Sequence, residues 1–244
     1  MRTSCRELKR ISRENLTFHY TVPLGAFVLV EVITMILESP FTALLGQYSS
    51  AFQYGLFYVA EFLILLIAMV MIVGLYYLHL NIARKKETRI SQVFYGFRNC
   101  TEKYLLYVFL MLVISFAPAI PAIAAGVFFY YRTTGLGMAV LVVAGVVSLI
   151  LEIFLQLQFQ LLFFVAIDGE ELSVREVFRR NNALIFGNRK RLFYLDLSFA
   201  GMVFLCILSL GIGFLWVIPY MFQTLTNFYL DVSGELSNQE SMCD

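Results

Sequence analysis

Residues 54–89 read YGLFYVAEFLILLIAMVMIVGLYYLHLNIARKKETR. Up to Leu80 the only acidic or basic side chain besides His79 is Glu61; then Arg84, Lys85, Lys86 and Arg89 arrive within one short stretch. A run of this length exceeds the roughly 20 residues that a helix needs to cross the hydrocarbon layer. Basic residues massed at one end of an apolar run are what the positive-inside rule produces. The same alternation recurs along the chain. Of its 18 Lys and Arg residues, five lie in 1–20, six in 81–103 and six in 168–192, with Arg132 alone elsewhere. Mean hydropathy is +0.77.

Composition agrees. Hydrophobic residues make up 60% of the 244 and charged ones 14%, where an ordinary soluble domain carries about a quarter charged. The fold expected is all-α: a polytopic membrane protein with six transmembrane helices at about 22–45, 54–80, 104–130, 136–167, 193–212 and 214–230. Residues 1–232 form one membrane domain, and 233–244 a short acidic tail with Glu235, Glu240 and Asp244. Glu38-Ser39-Pro40 is a point where the first span could end early. Placing the basic clusters inside puts both termini in the cytoplasm, in a cell membrane. Aromatic residues fit that frame, with Tyr54, Tyr58, Tyr130 and Trp216 near the outer ends and Tyr76, Tyr77, Tyr104 and Tyr229 near the inner ends.

The N-terminus does not read as a cleavable signal, because its charged residues precede any apolar core. Cys5, Cys100, Cys206 and Cys243 show no paired spacing, so neither a disulfide nor a metal site is expected.

Three amphipathic helices are expected on the inner side. Ser173-Val174-Arg175-Glu176 is a capping box, and Val177, Phe178, Asn181, Leu184 and Ile185 follow at helical spacing. Ser4-Cys5-Arg6-Glu7 is a second box, and Thr88 opens a third stretch with Val93, Phe94 and Phe97 apolar. Helices at about 4–18, 88–101 and 173–186 would bury Val177, Phe178, Phe94 and Phe97. Their starts stand 84 and 85 residues apart. Three modules (about 4–80, 88–167 and 173–230) of one helix plus a membrane hairpin would produce that spacing; so would any six-span chain with basic inner loops.

Several runs then resemble a known family: Arg191 through Gly201, Leu208 through Tyr220, Asn227 through Leu230, with Val93-Phe-Tyr-Gly-Phe-Arg98 and Leu172 through Val177 in support. They are similar to the bacterial integral membrane family known as domain of unknown function 975. This chain departs from the family pattern at Asn188-Arg189-Lys190, where a His-Lys pair is usual, and at Lys85-Lys86-Glu87, where a Gly-Glu step is usual. The resemblance implies six spans and a bacterial cell membrane, and no activity.

Acidic groups inside the hydrocarbon cost on the order of 2.5 kcal/mol or more at mid-depth, which makes Glu31, Glu61 and Glu152 the candidates for function. In the fourth span Ser148, Glu152, Gln156 and Gln160 recur at steps of four, forming one polar stripe that must face protein or water. It reads either as a groove for a headgroup, peptide or ion, or as a set of interhelical hydrogen bonds. Asp196 reads as an inner-interface partner of Arg191. Pro118 and Pro121, followed by small residues, break or kink the third span. Ile167-Asp168-Gly169-Glu170 reads as the exit from the fourth.

No catalytic motif, cofactor or metal ligand set is expected; His19 and His79 have no second ligand at metal spacing. The basic residues sit at membrane entry points, where anionic lipid, not nucleic acid, explains them. The functional expectation is a non-enzymatic scaffold, accessory or lipid-binding component, with a protein partner or a second copy as further candidates. The alternative is a small transporter or exporter component using the stripe. A cavity lined by Glu152 and Gln156 would favour the latter.

Overall fold

A computed structural model of the chain describes residues 3–17, 20–43, 50–131 and 135–236, and among these every regular element is helical. His19, Arg132, Cys243 and the tail beyond 236 lie outside the described residues. Four helical stretches are long and apolar enough to cross a membrane: α2 (Thr21–Ala43), α3 (Ala51–Ala83), the pair α7–α8 within Gly135–Asp168, and the pair α10–α11 within Arg189–Leu208. A fifth arises if the segment Ile90–Arg98 and α5 (Thr101–Phe116), bent by 93°, are one span.

Departures from the six expected spans have local causes. The third is divided, because Pro118 has no N–H to extend α5; Ala117 closes it with a tight bond to Ile114 (3.2 Å), and α6 (Ala119–Tyr131) restarts beyond. The last helix, α12 (Phe214–Ser233), carries Gln223, Thr224, Thr226 and Asn227 and falls outside the apolar set. Conversely, Pro40 does not end α2. The Ser39 hydroxyl donates to the Ile36 carbonyl (3.1 Å), the group that Pro40 leaves without its helical partner.

Helices form at two of the three places where amphipathic ones are expected. α1 (Cys5–Thr17) packs on α12 with Leu8 and Leu16 buried, and only half of its capping box is made: Ser4 accepts from the Glu7 N–H (3.2 Å), while the Glu7 carboxylate turns to Arg10. α9 (Val174–Ile185) has the full box between Ser173 and Glu176. Its one polar inward residue, Asn181, donates to the Gln158 carbonyl (2.8 Å) near the end of α7 (Gly135–Phe159). The middle stretch is instead a 3-10 helix, Ile90–Phe94, followed by the single turn α4 (Tyr95–Arg98). Cys100 then takes a left-handed conformation (φ 47°). Val177 is buried and Phe178 and Phe94 half-buried, but Phe97 is exposed.

That irregular segment is pressed onto α3 by two glycines. A Cβ on Gly74 would stand 2.0 Å from the Val93 carbonyl oxygen, and one on Gly96 would stand 2.8 Å from that of Val70. Only a missing side chain on both partners allows backbones this close. Tyr77 and Tyr95 stack alongside with centroids 3.8 Å apart.

The core lies toward one end of the bundle. It is built from the second half of α3, all of α8 (Leu162–Asp168) except its last residue, the second half of α12, and the inward faces of α1, α9 and α10 (Arg189–Leu197). The basic segments gather at that end, joined by Arg84 to Asp168 and Glu235 and by Arg191 to Asp231. Away from it, α6, the first turns of α7, and α11 (Ala200–Leu208) expose their apolar side chains.

Candidate functional site

The polar stripe on α7 opens onto a cavity of about 310 Å³. Glu152, Gln156 and Gln160 line one side, spaced along about 12 Å of helix at 1.5 Å per residue. α5 supplies Met111, Ile114 and Ser115, α10 supplies Leu195 and Asp196, and α12 supplies Met221, Phe222 and Leu225. Glu152, Gln156 and Ser115 are exposed and form the mouth. Leu195, Phe199 and Phe163 are buried and form the floor. The result is a cleft with an apolar bed and a polar rim.

The floor is held from behind. Tyr76 of α3 packs against Phe163, Phe164 and Phe222, with centroids 5.4, 4.7 and 5.1 Å away. Phe222 in turn stacks on His79 (5.5 Å), whose Nδ1 is bonded to Gln223 (2.8 Å) in the buried core. At the deep end of the stripe the Gln160 amide donates to Asp196 (3.2 Å), while the Gln160 carbonyl oxygen is shielded from solvent and has no partner. The helix breaks at this point, Gln160–Leu161, where the chain passes into α8.

Other residues singled out from sequence do not join this cleft. Ser148 is on α7 but outside the lining, its hydroxyl shielded and unpartnered. Glu61 on α3 is half-buried and Glu31 on α2 exposed, and neither borders the cavity. The expected pair between Asp196 and Arg191 is not formed. Arg191 instead pairs with Asp231, and also donates to the Thr3 carbonyl (2.6 Å), while Thr3 donates its N–H back to Asp231 (3.1 Å). The reason is topological: the C-terminal end of α12 and the start of α1 meet the start of α10, whereas Asp196 faces α7.

A second polar cluster was not legible in the sequence. Arg84, capping α3, makes a bidentate pair with Asp168 (2.8 and 2.7 Å) and two bonds to Glu235 (both 2.8 Å). Tyr229 donates to the same Asp168 (2.8 Å). The carboxylates of Asp168 and then Glu235 hold the guanidinium above its ordinary pKa. This fork ties the ends of α3, α8 and α12 together. The sequence marked Asp168 only as part of the exit from the fourth span, with nothing to say that Arg84 is its partner. Among the described residues no group of His, Cys, Asp and Glu side chains is arranged to hold a metal ion.

The model of one protein family, described as "Protein of unknown function (DUF975)", matches residues 1–235. The chain belongs to this family. The match reaches from α1 to the Arg84–Glu235 tie, so the cleft and both ionic clusters lie within the family's own extent. No curated protein and no solved structure was found to match the chain.

Proposed function

We propose that this DUF975 protein is a multi-pass membrane protein that holds an amphipathic molecule in the cleft beside α7, as a lipid-binding or carrier component and not as an enzyme. The observation that carries this reading is the cavity itself. An apolar bed with a rim of Glu152, Gln156, Gln160 and Asp196 matches a molecule with a tail and a polar head. A stripe used only to bind neighbouring helices would be filled by them; here three of its four members border open space. The cleft therefore favours a carrier over a closed scaffold.

The proposal includes the finer topology: six crossings, with α5–α6 as a broken span and α12 as the central one, and both termini cytoplasmic. The basic end then faces the inner leaflet, where anionic lipid would meet Arg175, Arg179 and Lys190. A broken helix beside a polar intramembrane site is a common feature of transporters.

The test is to purify the protein in mild detergent and identify co-purifying ligand by native mass spectrometry. Wild type should carry an amphiphile, and Met221→Trp, which fills the cleft from α12, should lose it without a fall in melting temperature. A wild-type protein that carries none, and that no added amphiphile stabilises, would overturn the reading.

A further inference from the structure

We infer that the cleft selects a hydrophobic organic cation, a molecule with an apolar body and a single ammonium head. This rests on the cleft being a ligand site. Among the residues lining it are two carboxylates, Glu152 and Asp196, the amides of Gln156 and Gln160 and the Ser115 hydroxyl, but no Lys, Arg or His. Four basic groups on neighbouring elements are engaged elsewhere. Arg191 is paired with Asp231, and Arg189 is bonded to Gln158 and lies over the Phe154 ring. Lys9 donates to the Ser198 carbonyl (2.9 Å) and sits over the Phe199 ring, 3.9 Å from its centroid. His79 is bonded to Gln223, behind Phe222.

Glu152 itself has no hydrogen-bond or ion-pair partner among the described residues. A carboxylate beside the hydrocarbon with no counter-charge from its own chain is matched best by a charge that arrives with the ligand. The bed suits the same ligand, because Tyr76, Phe159, Phe163 and Phe222 present rings, and ring faces attract ammonium groups. An anionic head would meet two carboxylates and only neutral donors, the amides and the Ser115 and Tyr76 hydroxyls. At about 310 Å³ the cavity is at the lower end of small-molecule sites, enough for a head and its first few methylenes.

The experiment uses the full chain in phosphatidylcholine nanodiscs, with empty nanodiscs as the partition blank. Three probes share a decyl tail and differ in the head: trimethylammonium, glucoside or sulfate. Equilibrium dialysis should give saturable binding of the trimethylammonium probe, weaker binding of the glucoside and none of the sulfate above blank. Glu152→Gln and Asp196→Asn should each weaken the trimethylammonium probe by about tenfold, since a coulombic attraction between opposite charges is lost. Melting in detergent should be unchanged in Glu152→Gln, which loses no hydrogen bond or ion pair of the protein, and near wild type in Asp196→Asn, whose amide oxygen still accepts from Gln160, which shows that the fold is intact. Equal affinity for all three heads, or unchanged trimethylammonium affinity in both variants, overturns the cationic assignment. If all three probes bind wild type alike and Met221→Trp abolishes them, the cleft survives as a site without charge selection. If none binds, the cleft reading falls as well.

Discussion

α7 and α12 are both long helices, and they invert the rule that governs soluble proteins. α7 is the more apolar, yet of its 25 residues only Gly137 and Gln158 are buried; Leu149 and Ile150 are each 60% exposed. α12 is the more polar, and its Gln223, Thr224, Thr226 and Asn227 are all fully buried. In hydrocarbon nothing is gained by hiding leucine, whereas every polar group must find a partner inside the protein. Asn227 donates to Ser12 (2.8 Å), and Thr224 and Thr226 each return their hydroxyls to a carbonyl one turn back (2.8 Å). α3 contains both regimes in one helix, exposed over much of its first half and buried through most of Val70–Ala83.

The contrast is broken most sharply by adding a single carbon to each regime. Gly74→Ala drives a Cβ into the Val93 backbone and should cost about 3 kcal/mol in detergent unfolding. Gly145→Ala on α7 meets nothing within 4 Å and should stay within about 1 kcal/mol of wild type. Next comes Asn227→Leu, which makes α12 more apolar and should still destabilise by about 2 kcal/mol, because Asn15 loses its partner and the buried Ser12 hydroxyl keeps only its bond to the Leu8 carbonyl. A stable Asn227→Leu protein would mean that α12's polar face is dispensable. Arg84→Met should cost about 2 kcal/mol, below the range for a fully buried pair because about a fifth of the Arg84 and Asp168 side chains is exposed. Leu149→Ala should change melting by less than about 0.5 kcal/mol.

The smallest effect is at the cap of α9. The Ser173 hydroxyl and then its N–H lower the Glu176 pKa below the ordinary carboxylate value. Stability from this box is therefore complete above that ordinary value and is lost as pH falls through the lowered one. Hydrogen exchange at the start of α9 should be slower in wild type than in Glu176→Gln at neutral pH. The two should converge in acid; a difference that persists there would refute the assignment.

Much of the fold was legible because its signals are local. Apolar length marked the four helical stretches long enough to cross a membrane, and Ser173 with Glu176 announced α9 from within four residues. The stripe was legible too, since Glu152, Gln156 and Gln160 share a face by helical geometry alone. Where sequence reading faltered, distant backbone had intervened. Nothing in Thr88–Cys100 forbids a regular amphipathic helix, but close docking against Gly74 accompanies its 3-10 form. Gly74 and Gly96 themselves were visible as isolated glycines, a signal of close approach that does not say to what.

What the sequence by itself determined is helical class, apolar spans, the basic clusters, and one face of the cleft, because each depends on spacing along a single helix. Only the tertiary structure decided that Met111, Asp196 and Leu225 complete that cleft. It alone decided that Arg191 takes Asp231 and leaves Asp196 to Gln160. An ion pair depends on which helix ends meet in space, and charge pattern alone does not specify that meeting.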